Sequence, residues 1–192
     1  GRWGDIKERP AGFLTATCSP CLPLSVSPRL LLSSARLYGI VDLGYVQPAA
    51  AVEMTRALVE GGVDILQLRA KQLAPDEIET VARRMLPITR AAGVPLVIND
   101  HPAVAAAVGS EGAHVGQDDG GIAAARAIVG ASCFVGKSTH SLAQARAALA
   151  EGADYIGFGP LYATGTKPDY PPIGLRDIAE VEKLTELPKF VR

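Results

Sequence analysis

The stretch Glu60-Gly61-Gly62-Val63-Asp64-Ile65-Leu66-Gln67-Leu68-Arg69-Ala70-Lys71 packs a helix end, a turn, a strand and a polar cluster into one short run. The glycine pair stops the helical pattern that precedes it, because glycine enters the left-handed conformation of a helix C-cap without steric cost. Val63–Leu68 then reads as a strand, and Gln67, Arg69 and Lys71 alternate along it and its extension. A period of two puts those three side chains on one face. The same formula of helix end, glycine and strand start recurs at Glu151-Gly152-Ala153-Asp154-Tyr155.

Working outward, each short apolar run is followed by residues able to do chemistry. Val94–Ile98 leads to Asn99 and Asp100, and Ala113–Val115 to Gln117, Asp118 and Asp119. Cys133–Val135 leads to Lys137 and Ser138, and Tyr155–Phe158 to Thr164, Thr166 and Lys167. Leu37–Val41 is a good first strand. Helical patterns lie between the runs: Ala49–Glu60 after Pro48, and a helix from Pro75 with Ile78, Val81, Ala82, Met85 and Leu86 as its buried stripe. His101–Val108, Ile122–Val129 and Ser141–Ala150 complete the alternation. Strand alternating with helix, with polar clusters after successive strands, predicts an α/β TIM (β/α)8 barrel with its site at the carboxyl ends of the strands. A doubly wound sheet would concentrate its chemistry in one crevice. Six strands are expected, with a seventh starting at Lys189–Val191, so the barrel is expected to be incomplete at its C-terminus. Residues 1–35 lack the rhythm and read as an irregular arm; residues 36–192 are the barrel domain.

The chain has 192 residues, 48% of them hydrophobic, and a net charge of −1, enough for one core and without the basic excess of a nucleic-acid or anionic-membrane binder. Its cysteines make no disulfide framework: Cys18 and Cys21 form a lone CxxC in the arm, and Cys133 reads as a small core residue. A reducing, cytoplasmic setting fits. The arm has no acidic residue between Arg9 and Arg36, as in an organellar transit segment, but no amphipathic Arg-rich helix supports that role.

The clusters suggest their own chemistry. Gln67, Arg69 and Lys71 would be costly to bury without an anion to bind. Asp100 and Asp119 follow adjacent strands, and two convergent carboxylates suit magnesium; the competing reading is a pair of helix N-caps. Thr164-Gly165-Thr166-Lys167 offers two hydroxyls, a glycine and a cation to a phosphate. Gly136-Lys137-Ser138 is not a P-loop, since Ala131 stands where that motif needs glycine. His101, His114 and His140 lack metal-ligand spacing and read as structural.

The succession LYGIVD (37–42), QLRAK (67–71), VIND (97–100), HVGQDD (114–119), GKSTH (136–140) and GFGPLYATGTK (157–167) resembles thiamine phosphate synthase. The resemblance implies a TIM barrel that condenses two small-molecule substrates, a pyrimidine methyl diphosphate and a thiazole phosphate, releasing pyrophosphate, with Mg²⁺ as cofactor. It implies that the stretch Gln67, Leu68, Arg69, Ala70, Lys71 binds the pyrimidine diphosphate together with Asn99. Ser138 and Lys167 would reach the diphosphate, Thr164, Gly165 and Thr166 the thiazole phosphate, and Asp100 and Asp119 the metal. Arg69, Lys71, Ser138 and Lys167 would be the catalytic groups. Ala70 replaces the family's usual glutamate, on the opposite face from its basic neighbours. The family continues with a Gly-Gly turn and an eighth strand, whereas this sequence ends at Lys189-Phe190-Val191-Arg192, which sets the expectation of a weak enzyme. Two alternatives remain open at this level: a thiazole tautomerase-like isomerase, whose branch carries histidine where this chain has Pro160, and a non-catalytic phosphate-ligand binder.

Overall fold

Every strand pairing in the computed structural model is parallel and joins consecutive strands. Residues 32–162, 173, 176–185 and 187–191 are described. The predicted phosphate loop at Thr164, Gly165, Thr166 and Lys167 lies outside them, as do Cys18 and Cys21. The strands are β1 (Tyr38–Asp42), β2 (Ile65–Arg69), β3 (Leu96–Asn99), β4 (Gly112–Val115), β5 (Phe134–Thr139), β6 (Tyr155–Phe158) and β7 (Lys189–Val191). They form one sheet in the order of the chain. A doubly wound sheet must reverse its order partway, so that alternative is excluded.

The sheet curls. Laid flat, six inter-strand steps of ~4.8 Å would separate β1 from β7 by roughly 29 Å. Instead the ring of Tyr38 on β1 lies 4.8 Å from that of Phe190 on β7. Tyr38 and Tyr155 also share a hydrogen bond of 2.9 Å between their hydroxyls. Aromatic side chains therefore join the two margins of the sheet, and no backbone pairing between β7 and β1 occurs among the described residues.

Helices α1 (Ala51–Glu60), α2 (Pro75–Ala91), α3 (Pro102–Val108), α4 (Gly121–Val129), α5 (Leu142–Ala150) and α6 (Arg176–Leu184) follow β1 to β6 in turn. The stripe predicted on α2 is buried in full, with Thr89 added to it. At the start of α2, Glu77 accepts a hydrogen bond from the Ala74 N–H at 2.9 Å, and Ser141 caps α5 by accepting from Gln144 N. Each satisfies a backbone donor that a helix start leaves open. Outward side chains such as Leu66, Leu68, Leu96 and Ile98 pack on the helices in one cluster. Val115, Val135, Ile156 and Phe158 do so in a second. Inward side chains fill the barrel: Ile65, Val97, Phe134 and Tyr155, joined by Leu32.

Two expectations need correction. β5 runs on through Thr139, so Lys137 and Ser138 lie inside a strand and point to opposite faces. The barrel also begins before residue 36. Leu32 is 1% exposed and belongs to the interior cluster, so the end of the irregular arm contributes to the core.

Candidate active site

At the end of β1, Asp42 stands in register with Arg69 of β2, and the two side chains form an ion pair in which both are mostly buried. Beyond β2, Lys71 reaches the carboxylate of Asp100, Nζ to Oδ2 being 3.5 Å. Asp100 has a φ of 61°, uncommon for a residue with a Cβ, and it is the sole non-glycine residue with positive φ among those described. Its N–H donates to the carbonyl of His114 at 2.8 Å. That tethers the turn after β3 to β4.

The Asp100 carboxyl meets that of Asp119. Burial, and then the Asp119 carboxyl beside it, push Asp100 above the usual carboxylate range, while Lys71 opposes the rise. Neighbouring carboxylates repel one another, and a cation close to both relieves that repulsion. The N-cap alternative fails. The residues capping α3 and α4 are His101 and Gly120, and neither helix start has a side-chain cap. Asp119 instead accepts from the Gly116 N–H at 2.6 Å, which fixes its carboxylate in the β4–α4 turn.

Deeper in the barrel, a hydrogen-bonded chain crosses the interior. The Tyr155 hydroxyl lies 2.9 Å from His114 Nδ1, and His114 Nε2 lies 2.9 Å from Ser138 Oγ. Gln117 donates to the Ser138 carbonyl. Beside this chain is a cavity of about 70 Å³ whose lining includes Tyr38, Gln67, His114, Tyr155 and Phe190. Gln67 is 1% exposed, and its Oε1 has no hydrogen-bond partner among the described residues. An acceptor buried without a donor is costly, and its position beside a cavity suits a ligand that brings an N–H.

Gln67, Arg69, Asn99 and Ser138 thus lie in the carboxyl-terminal half of strands β2, β3 and β5, with Asp100 and Asp119 in the turns that follow β3 and β4 and Lys71 at the rim. Leu68 and Ala70 do not join them. Both side chains lie in the outer core, so these two can meet a ligand only through their backbone. Lys137 also turns outward and pairs with Glu151, 2.8 Å away, behind the sheet. Two members were not foreseen: Asp42, last residue of LYGIVD, and His114, read as structural yet bonded directly to Ser138. The alternation along β4 would have found His114, because its neighbours Ala113 and Val115 face the helices.

Among the described residues, no three His, Cys, Asp or Glu side chains converge as a metal-binding group. The two-carboxylate, all-oxygen set of Asp100 and Asp119 nevertheless fits magnesium, which takes its remaining ligands from water and phosphate.

Fold and side chains together define an α/β barrel with a charged site at the carboxyl ends of its strands. The family model described as thiamine monophosphate synthase matches residues 37–191, and the chain belongs to that family. It is 39% identical over 154 residues to a thiamine-phosphate synthase of Chloroflexus aurantiacus, spanning 80% of this chain and 71% of that protein. It is 38% identical to that of a Roseiflexus species, over 79% of this chain and 65% of that one. The structure also resembles thiamine phosphate pyrophosphorylase from Pyrococcus furiosus, with a TM-score of 0.74 and 28% identity, over 84% of this chain and 76% of that one.

Proposed function

We propose that this protein is a transferase condensing 4-amino-2-methyl-5-(diphosphooxymethyl)pyrimidine with thiazole phosphate, giving thiamine phosphate and pyrophosphate in thiamine biosynthesis. The observation that carries this reading is the convergence of Arg69, Lys71, Asp100 and Asp119 around one rim, with an unsatisfied Gln67 below it. The arrangement suits a molecule with a charged diphosphate at one end and an amine-bearing ring at the other. The ring enters the interior, where an N–H donates to Gln67 Oε1, and Asn99 and Ser138 bracket it.

The bond between the ring's methylene carbon and the diphosphate oxygen breaks first, and the bonding electrons leave with pyrophosphate. The guanidinium of Arg69 and the ammonium of Lys71 take up the charge that develops on that oxygen. The thiazole nitrogen then donates its lone pair to the methylene cation, so no side-chain nucleophile is required. Asp100 and Asp119 would hold Mg²⁺, which supplies further charge neutralisation to the departing diphosphate. Lys167 is assigned to the same diphosphate, and Thr164, Gly165 and Thr166 to the thiazole phosphate. No described helix is long and apolar enough to cross a membrane, and a cytoplasmic location is proposed.

The test is product formation by the purified protein from the two substrates. Thiamine phosphate and pyrophosphate should appear in equal amounts, depend on Mg²⁺, and fall to background in Asp100→Asn. Conversion of the thiazole phosphate alone into an isomer, or binding of both substrates without product, would replace this reading by one of its rivals.

A further inference from the structure

The geometry points to Asp42 as a positioning residue that holds one edge of the Arg69 guanidinium, leaving its other donors aimed at the departing diphosphate. The inference rests on the function proposed above.

Asp42 is built to be fixed. It ends β1 in register with Arg69, and the Leu43 N–H donates to the Arg69 carbonyl at 2.8 Å, tying the two strand ends together by backbone as well. The Asp42 carbonyl accepts from the N–H groups of Tyr45 and Val46 at 3.0 and 2.9 Å, and its Oδ1 accepts from the Gly44 N–H at 3.0 Å. One carboxylate oxygen is thus spent on its own turn, and the other, Oδ2, takes Arg69 Nη1. A carboxylate anchored by its turn can orient a guanidinium that four side-chain torsions would otherwise leave mobile. Both groups are largely withdrawn from water, 14% exposed for Arg69 and 13% for Asp42, so the pairing is little screened. Lys71, by contrast, is 56% exposed and meets Asp100 at the longer 3.5 Å. Of the two cations, only Arg69 is held rigidly before a ligand arrives.

The arrangement has a consequence for energetics. The Asp42 charge sits on the far side of Arg69 from an incoming anion and opposes its binding. It contributes to the reaction only through the direction in which it holds the guanidinium. Asp42→Asn keeps an oxygen for the Gly44 N–H and removes the charge. It should bind pyrophosphate more tightly than wild type, about three-fold or more at low salt. It should also turn over about ten-fold more slowly, because misplaced donors cost orientation in the transition state.

The experiment compares wild type, Asp42→Asn, Arg69→Ala and the double variant for melting temperature, for pyrophosphate affinity by calorimetry with Mg²⁺, and for kcat and KM. The expected result is a lower kcat with a tighter pyrophosphate complex in Asp42→Asn, and no further loss of kcat when Asp42→Asn is added to Arg69→Ala. An unchanged kcat would overturn the inference, as would equal losses in the presence and absence of Arg69. Should Asp42→Asn melt early, Asp42→Ser, which also keeps a turn acceptor, carries the same comparison. If wild type makes no thiamine phosphate, the proposed function falls, and pyrophosphate affinity alone then decides the inference. Arg69→Ala must weaken binding, and Asp42→Asn must tighten it with Arg69 present and absent alike, by at least as much in its absence, where no aimed guanidinium is lost; failure of either overturns the inference.

Discussion

Asp100 places an ionisable group where the fold gains nothing from it. Its side chain is 16% exposed, it touches the Asp119 carboxyl, and its backbone occupies the left-handed region. Its one opposing contact is Lys71, a mostly exposed partner whose pairing is worth at most ~1 kcal/mol. Asparagine is nearly isosteric and tolerates positive φ. Asp100→Asn is therefore expected to melt at a higher temperature than wild type in the absence of divalent cations. Added Mg²⁺ should raise the melting temperature of wild type and leave the variant unmoved. A wild type indifferent to Mg²⁺ would show that the carboxylate pair is not a metal site. At this scale the sequence was most informative where charged residues followed apolar runs, as Arg69 and Asp100 do. It was least informative where polar residues sat inside a strand. Lys137 and Ser138 looked alike in the sequence, yet alternation sends one to Glu151 behind the sheet and the other to His114 within it. Asp42 carries no signal in the sequence, because the significance of its charge lies in a register with Arg69 that only the pairing of β1 with β2 creates.

Elements matched their expected order, since apolar period and glycine stops are local signals. Their ends and the packing of the segment before β1 were not legible, because tertiary contacts set them. β5 gains three polar residues, Lys137 to Thr139, from its pairing with β6, and α6 (Arg176–Leu184) is an element beyond those expected. The segment before β1 is held by two kinds of contact. Leu32 enters the barrel interior beside Ile65, Val97, Phe134 and Tyr155. Leu32→Ala should cost about 2–4 kcal/mol in denaturant unfolding, the usual penalty for a large-to-small change in a core. A loss below the range of surface substitutions would mean that this end of the barrel packs loosely. Asp64, just before β2, accepts from the N–H groups of Arg36 and Leu37, both at 2.8 Å. These two backbone donors hold its carboxyl below the usual 3.8. A lowered carboxyl pKa stabilises the fold at pH above the unfolded value and loses that effect as pH falls through the folded one. Wild type should therefore exceed Asp64→Ala in melting temperature at neutral pH, by a margin that narrows as pH falls below 3.8. A margin independent of pH would assign the effect to the lost contacts alone.

For the whole molecule, the decisive feature is how a curled parallel sheet fills its own interior. Four aromatic rings, Tyr38, Phe134, Tyr155 and Phe190, occupy the space, and glycines on neighbouring strands make room for them. A Cβ at Gly112 would stand 2.2 Å from the Phe134 ring, and one at Gly136 would stand 2.0 Å from that of Tyr155. Neither distance is tolerable. Tyr155 has little freedom to retreat, because its hydroxyl lies 2.9 Å both from that of Tyr38 and from His114. Its ring packs edge-on against Phe134 and Phe190. An added methyl at Gly136 must therefore displace a side chain that links β6 to β1, β4 and β7, and through His114 reaches Ser138 in the site. Gly136→Ala should destabilise the protein by about 3 kcal/mol, the upper end of the usual overpacking penalty. It should also lower turnover under conditions where the variant is fully folded. The same substitution in a Tyr155→Leu background should cost far less, since the ring that collides with the new methyl is gone. Double-mutant coupling between these two positions is the measurement. Independent, additive losses would mean that the interior accommodates the methyl by shifting strands rather than the tyrosine, and that the aromatic cluster does not set the spacing of the barrel.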